Sequence, residues 1–165
     1  MEKSLEILDL PPDVRDLVGE CELTGKRTQF KRNGRPVVTL VSHDEYLALR
    51  ETVEIANDVA LRAQLAAAEE ELAKGAVLLS EELTGVRSAE DRLRVSESVE
   101  RTWQLLPDER RALVTAAFAV IEDDPIIGAP LFEPLRGLWS YRRDDVRIVY
   151  RIMAEARFVV ILAIG

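Results

Sequence analysis

Apolar residues recur along this chain at two different spacings, and the change from one to the other divides it. Val14, Leu17 and Val18 follow Pro11-Pro12-Asp13. Proline early in a helix loses no hydrogen bond there, so a short helix is predicted that ends at Gly19 or Gly25. Arg27 to Phe30 and Val37 to Val41 read as two strands, and the Asn33-Gly34 between them is a strong hairpin signal. Ser42 and Glu45 stand at capping-box spacing, so a helix is predicted from about His43 to Asn57. Asp58 can cap another from Val59 to Lys74, which Gly75 would stop. Leu61, Leu65, Ala68 and Leu72 form one stripe of this second helix, and Glu69, Glu70 and Glu71 mark the other face. Little hydrophobic sequence lies near enough to cover the stripe, so it needs a partner surface. The polar stretch from Ser80 to Glu90 reads as a linker.

Beyond it the pattern changes. Arg92 to Val95 is a strand candidate, and Ser96 can cap a helix with Val99, Trp103 and Leu106 on one side. After Pro107-Asp108, a second helix carries Leu113, Val114, Ala117, Phe118 and Ile121, ending at Asp124-Pro125. Residues 125–137 read as loop. Three strand runs follow, Leu138 to Arg143, Val146 to Ile152 and Phe158 to Ile164, with gaps short enough for hairpin turns. The order β-α-α-β-β-β predicts an α+β fold: an antiparallel sheet with a two-helix layer on one face.

The 165 residues suffice for two small modules, and a 47% apolar fraction can build cores for them. The net charge of -8 argues against broad nucleic-acid affinity, but the charge is uneven. Lys26, Arg27, Lys31, Arg32 and Arg35 fall in ten residues without a carboxylate. A charge run of this kind is ordinarily a solvated turn. One cysteine, Cys21, and one histidine, His43, make neither a disulfide nor a Cys/His metal site, so no metal or cofactor is expected. No apolar run suits a signal peptide or a membrane span, which points to a soluble cytoplasmic protein. Trp103 and Trp139 are expected in the core, and no phosphate loop or Ser/His/Asp set is present.

The run from Gly25 to Val38, followed by Val41-Ser42-His43-Asp44-Glu45-Tyr46, resembles the Phd/YefM antitoxin family over roughly residues 5–80. It departs at Leu10-Pro11-Pro12-Asp13, where the usual opening of the first helix is replaced. The resemblance implies a homodimer, or a higher assembly, formed through residues 1–57, whose N-terminal parts bind operator DNA as an autorepressor. It assigns DNA contacts to Arg15 and Arg32, beside Lys26, Arg27, Lys31 and Arg35 of the basic patch. Cations there could neutralise phosphates, and arginine can read guanine bidentately. Residues 58–87 would then be the toxin-neutralising helix and linker, with Leu61, Leu65, Leu72, Val77 and Leu78 at the interface.

The run Arg94 to Glu100, then Leu106-Pro107, then Pro134 to Tyr150, resembles the RelE/ParE toxin superfamily over roughly residues 90–165. Genes of the two families commonly lie side by side, so an antitoxin–toxin order in one chain supports both assignments. RelE-like toxins cut mRNA on the ribosome, using basic side chains on the sheet for acid–base and electrostatic catalysis. Only Arg147 maps onto the usual catalytic set. The family's two strand lysines fall on Leu138 and Ser140, and its later arginine and tyrosine would lie past Gly165. The competing reading makes Arg142, Arg147 and Arg151 a charged sheet face that pairs with antitoxin carboxylates such as Glu69 to Glu71. Three functions remain open: a self-neutralised autorepressor, a latent ribosome-dependent endoribonuclease, and a ParE-like gyrase inhibitor. Docking within one chain and exchange between chains are both open.

Overall fold

The computed structural model describes residues 4–85 and 92–165. It resolves into two compact units, Met1–Leu47 and Ala48–Gly165, divided inside a helix.

The first unit holds a 3-10 turn (Ile7–Asp9), α1 (Pro12–Thr24), the hairpin β1 (Thr28–Arg32) and β2 (Arg35–Leu40), and the start of α2 (His43–Asn57). Gly25 rather than Gly19 ends α1, adopting the left-handed conformation with φ 67°. The hairpin turn has φ 51° at Asn33 and 79° at Gly34. Two consecutive positive φ values define the type I′ turn that Asn-Gly favours, because its twist matches that of the strands. Ser42 caps α2, its hydroxyl accepting from Glu45 N at 3.2 Å. Among the described residues of this unit, Cys21 is the one buried apolar side chain, while Leu8, Leu23, Val37 and Val38 are exposed.

The second unit is built on a six-stranded sheet in the order β3-β4-β8-β7-β6-β5. Its strands are β3 (Val77–Leu79), β4 (Leu93–Ser96), β5 (Ala129–Pro130), β6 (Trp139–Arg143), β7 (Val146–Met153) and β8 (Phe158–Ile164). Its helices, besides the end of α2, are α3 (Val59–Ala73), α4 (Ser80–Thr84), α5 (Glu97–Leu105) and α6 (Asp108–Asp123). Asp58 caps α3 by accepting from Leu61 N at 3.0 Å, and Ser96 caps α5 by accepting from Val99 N at 3.3 Å. Both caps are legible in the sequence.

Three expectations need correction. The sheet is mixed, not antiparallel: β4 lies parallel to β8. The α5–α6 pair carries the chain across to the far edge of the sheet at β5 and β6, and the β6–β7 and β7–β8 hairpins bring it back so that β8 lies beside β4. The stretch expected to be linker contains α4, whose Leu83 packs on the core, and is preceded by β3. The rest of that linker, with the boundary expected at residue 87, lies outside the described residues. The loop after α6 contributes β5, too short for any periodicity to signal.

Both sheet faces are covered. On one, Val99 of α5 and Val114, Phe118 and Ile121 of α6 pack on Val146, Ile148, Tyr150 and Ile161. On the other, Ile55 of α2 and Leu61, Leu65 and Ala68 of α3 pack on Val149, Val160, Leu162 and Ala163. Burial on two faces explains why β8 reads as an unbroken apolar run. A bulge leaves Leu162 without a partner on β7, since Val149 pairs with Ala163 and Tyr150 with Ile161. Two consecutive residues, Leu162 and Ala163, thereby meet the α3 side. Among the described residues no helix is long and apolar enough to cross a membrane.

Candidate functional site

The alternation of β7 sends Val146, Ile148 and Tyr150 toward α5 and α6 and Arg147, Val149 and Arg151 toward α2 and α3. A charged row is thus set into an apolar face. Carboxylates of α2 (Glu51 and Glu54) and of α3 (Glu69 and Glu71) reach arginines of the sheet and of α5.

Glu51 and Glu54 stand three residues apart on α2, hence on one face of it. The Arg147 Nε lies 2.7 Å from Glu51 Oε1, while its Nη2 donates to Glu51 Oε2 at 3.2 Å and to Glu54 Oε2. The Nε contact is an ion pair, since its N–H does not point at the oxygen; the Nη2 group carries the hydrogen bonds. Ser140 Oγ donates to Glu51 Oε1 at 2.7 Å, and Arg142 Nη1 donates to Glu54 Oε2 at 2.9 Å. The side chains of Arg147 and Glu51 are only 12% and 13% exposed, so water screens this pair weakly. Buried Thr52, between the two glutamates, fixes how α2 sits. Its hydroxyl donates to Ala48 O at 2.7 Å and accepts from Phe132 N at 3.0 Å.

On α3, Glu69 takes both Nη groups of Arg151 in a bidentate pair, one contact measuring 2.9 Å. Glu71 accepts from Ser98 N at 2.8 Å, Ser98 Oγ at 2.9 Å and Arg101 Nη2 at 2.7 Å, at the start of α5. Gln64 joins the end of β8 like a strand residue: its amide donates to Ile164 O at 3.0 Å and accepts from Ile164 N at 3.2 Å.

Among the described residues, three groups titrate away from their ordinary values. The hydrogen bond from Arg147 holds the Glu54 carboxyl below 4.5; burial opposes this, and Arg142 adds to it. For Glu71, burial pushes upward, but the Ser98 N–H, Arg101 and the Ser98 hydroxyl together outweigh it, and the net shift is downward. Burial raises Tyr150 to about 12. Its hydroxyl donates to Pro125 O at 2.8 Å and accepts from Gly128 N at 3.2 Å, so it is a structural tie on the sheet face away from the arginines.

The two glutamates imply a pH dependence. A carboxyl with a depressed folded value adds stability above its unfolded value, and that stability is lost as pH falls through the folded value. The melting temperature is therefore expected to hold near neutrality and to fall below the ordinary carboxyl value of 4.5. Glu54→Gln with Glu71→Gln should flatten that acid limb. An unchanged acid limb in the double variant would show that other groups govern it.

The residues of the expected interface stripe are packed in the second unit. Leu61 and Leu65 are buried, and Leu72 and Val77 pack beside them. Leu78 instead packs toward the α5–α6 side, because β3 forms a strand whose residues alternate across the sheet. The expected partners of the arginines need correction. Arg151 does meet Glu69, but Arg147 and Arg142 meet Glu51 and Glu54, and Glu71 goes to Arg101. The periodicity of residues 43–57 groups this helix with the front module, although its second half packs on the sheet. The spacing of three between Glu51 and Glu54 was the available signal.

In the first unit the basic residues divide. Arg15 Nη2 donates to Leu8 O at 3.0 Å and Leu10 O at 3.1 Å; Lys26 pairs with Glu20 at 2.7 Å, and Arg27 with Glu45. Lys31, Arg32 and Arg35 stand exposed around the type I′ turn. His43 is exposed at the start of α2, and no metal-binding group is found among the described residues.

No family model matches this chain, and no curated protein matches it. Among solved structures, a chain of the toxin–antitoxin complex RelBE2 from Mycobacterium tuberculosis is 35% identical, covering 44% of this chain and 93% of that one, with TM-score 0.43. A chain of the intact E. coli RelBE toxin–antitoxin complex is 19% identical, covering 44% and 92%, with TM-score 0.40. The isolated E. coli RelE toxin is 19% identical, covering 44% and 80%, also with TM-score 0.40.

Proposed function

We propose that this chain joins an antitoxin to a RelE-like toxin domain and holds the toxin neutralised. One observation carries the reading. Arg147, the single residue that matches the family's catalytic set, is enclosed by Glu51 and Glu54 and shielded from solvent. An arginine so paired cannot stabilise a phosphorane. Leu138 and Ser140, which stand where the family has lysines, supply neither acid nor base, and Ser140 is itself buried. The neutralising role extends from the helix after Asp58 to the last turns of α2, with β3 adding a strand to the sheet edge.

Growth tests this directly. Arrest of cells expressing residues 88–165 alone, rescued by co-expression of residues 1–87, would show a working toxin that the front half neutralises. Absence of arrest, with the fragment present and folded, would make the domain a disarmed toxin fold. If arrest occurs, cleavage of ribosome-bound mRNA against loss of supercoiling separates a ribonuclease from a gyrase inhibitor.

The first unit has the features of a dimeric DNA-binding module. One buried apolar side chain cannot hold together a unit of this size, and its exposed leucines and valines would be covered by a second copy. Lys31, Arg32 and Arg35 at the hairpin tip suit phosphate and guanine contact; Arg15, Lys26 and Arg27, engaged within the chain, would contribute less. Arg32→Ala is expected to weaken operator binding by about 1–3 kcal/mol without changing the fold, in a gel shift whose native mass shows two chains per complex. An unchanged shift would remove the hairpin from the interface, and a single chain per complex would remove the dimer.

A further inference from the structure

The two helices that cover the arginine face of the sheet are held there in different ways. The buried residues of α3 are Leu61, Leu65 and Ala68, all apolar. Gln64 adds its strand-like pair of bonds to Ile164, at a point that β4 does not reach, since the β4–β8 pairing ends at Val95 and Ile161. Glu69 and Glu71 then tie α3 to β7 and to α5. Removing α3 would bring a continuous apolar surface into water. The buried residues of α2 are Ala48, Thr52 and Ile55, so Ile55 is the one large apolar side chain sealed there. Polar contacts are added to it: Thr52 with Phe132 N, Glu51 with Arg147 and Ser140, and Glu54 with Arg147 and Arg142. Water solvates such groups once they part, so each contact contributes little net hold compared with sealed apolar surface. The helices are also separate pieces. Asp58 between them is extended, with φ -82° and ψ 108°, and its side chain caps α3 by accepting from Leu61 N. α3 therefore keeps its own start when α2 swings away.

We propose that the last turns of α2 are a strap that lifts off Arg147 about a hinge at Asp58 while α3 stays docked on the sheet. Lifting frees Arg147 and Arg142 together and uncovers Ser140; α3 keeps Arg151 paired and the sheet covered. The domain thus gains a route to expose Arg147 without unfolding or losing its apolar cover. The strap's value as a gate rests on the reading of Arg147 as the remaining catalytic group, whereas its motion does not.

Amide hydrogen exchange on the full chain tests the motion. Undocked, so short a helical end is marginal in water and frays, so its amides exchange. Residues 49–57 are expected to exchange about tenfold or more faster than residues 61–72. Glu51→Gln with Glu54→Gln should speed the first segment about tenfold further and leave the second unchanged. Glu54→Gln alone, at a side chain 40% exposed, carries the same comparison if the double variant does not fold. Ser140→Cys in a Cys21→Ala background places a single thiol under Glu51, and its alkylation rate should follow the exchange of residues 49–57. Equal protection of the two segments, a rise shared by both, or alkylation that follows residues 61–72 would each overturn the strap. Should the strap open as expected while the double variant leaves growth unchanged, the strap stands and the catalytic reading of Arg147 falls.

Discussion

Leu65→Asp is expected to lower the thermal unfolding midpoint by about 10 °C or more. Leu65 sits in the contact between α3 and the sheet, with Leu61, Ala68, Val160 and Leu162 in the same apolar cluster. Truncating such a leucine costs about 2–5 kcal/mol through lost burial and the cavity left behind. A carboxylate in that apolar cluster adds a desolvation cost, and Arg151 of the row is already paired with Glu69. The chain has two escapes, global unfolding or release of α3 from the sheet. The second would expose Arg151 and the part of the sheet face that α3 covers. If the chain is a neutralised toxin, Leu65→Asp should also slow growth. An unchanged midpoint would mean that the α3 stripe is not packed on the sheet.

Arg147→Met is the second large effect. The substitution leaves Glu51 13% exposed with Ser140 Oγ and the outer Arg142 as its remaining partners. Removing one member of a buried pair costs about 3–5 kcal/mol, and the residual exposure and these partners reduce that to about 2–3. The loss comes mainly from the stranded carboxylate, so Glu51→Gln should recover a large part of it in the Arg147→Met background. Glu51→Gln alone should destabilise less than Arg147→Met, because Arg147 keeps its ion pair with Glu54. A double-mutant cycle measured by urea unfolding reads this coupling. Additive effects would show that the two side chains act independently.

Much of the local structure was legible along the chain. The Asn33-Gly34 turn, the Ser42, Asp58 and Ser96 caps, the Gly25 and Gly75 stops and three of the C-terminal strands follow from short-range rules, each depending on a few neighbouring residues. The long-range pairings were not legible. The apolar run Phe158 to Ile164 marks a strand but carries no label for its neighbours, and so its parallel pairing with β4 is decided only in the folded chain. Val77 to Leu79 is a strand because the edge of β4 is there to receive it, which three residues alone cannot signal.

The candidate site shows the same division. Sequence alone determined that a carboxylate-bearing amphipathic helix precedes a sheet with arginines on it, because periods of 3.6 and 2 are written into residue spacing. The family resemblance adds Arg147 as a candidate, a proposal that the sequence alone does not test. Which carboxylates meet which arginines was decided only by the tertiary structure. Glu51 and Glu54 lie more than ninety residues before Arg147, and the Thr52 tie to Phe132 and the burial of Ile55 place their helix on the sheet unit. Charge attraction is non-specific at that separation in sequence; apolar packing and the Thr52 hydrogen bond set the helix's position and rotation, and the ion pairs follow from that placement.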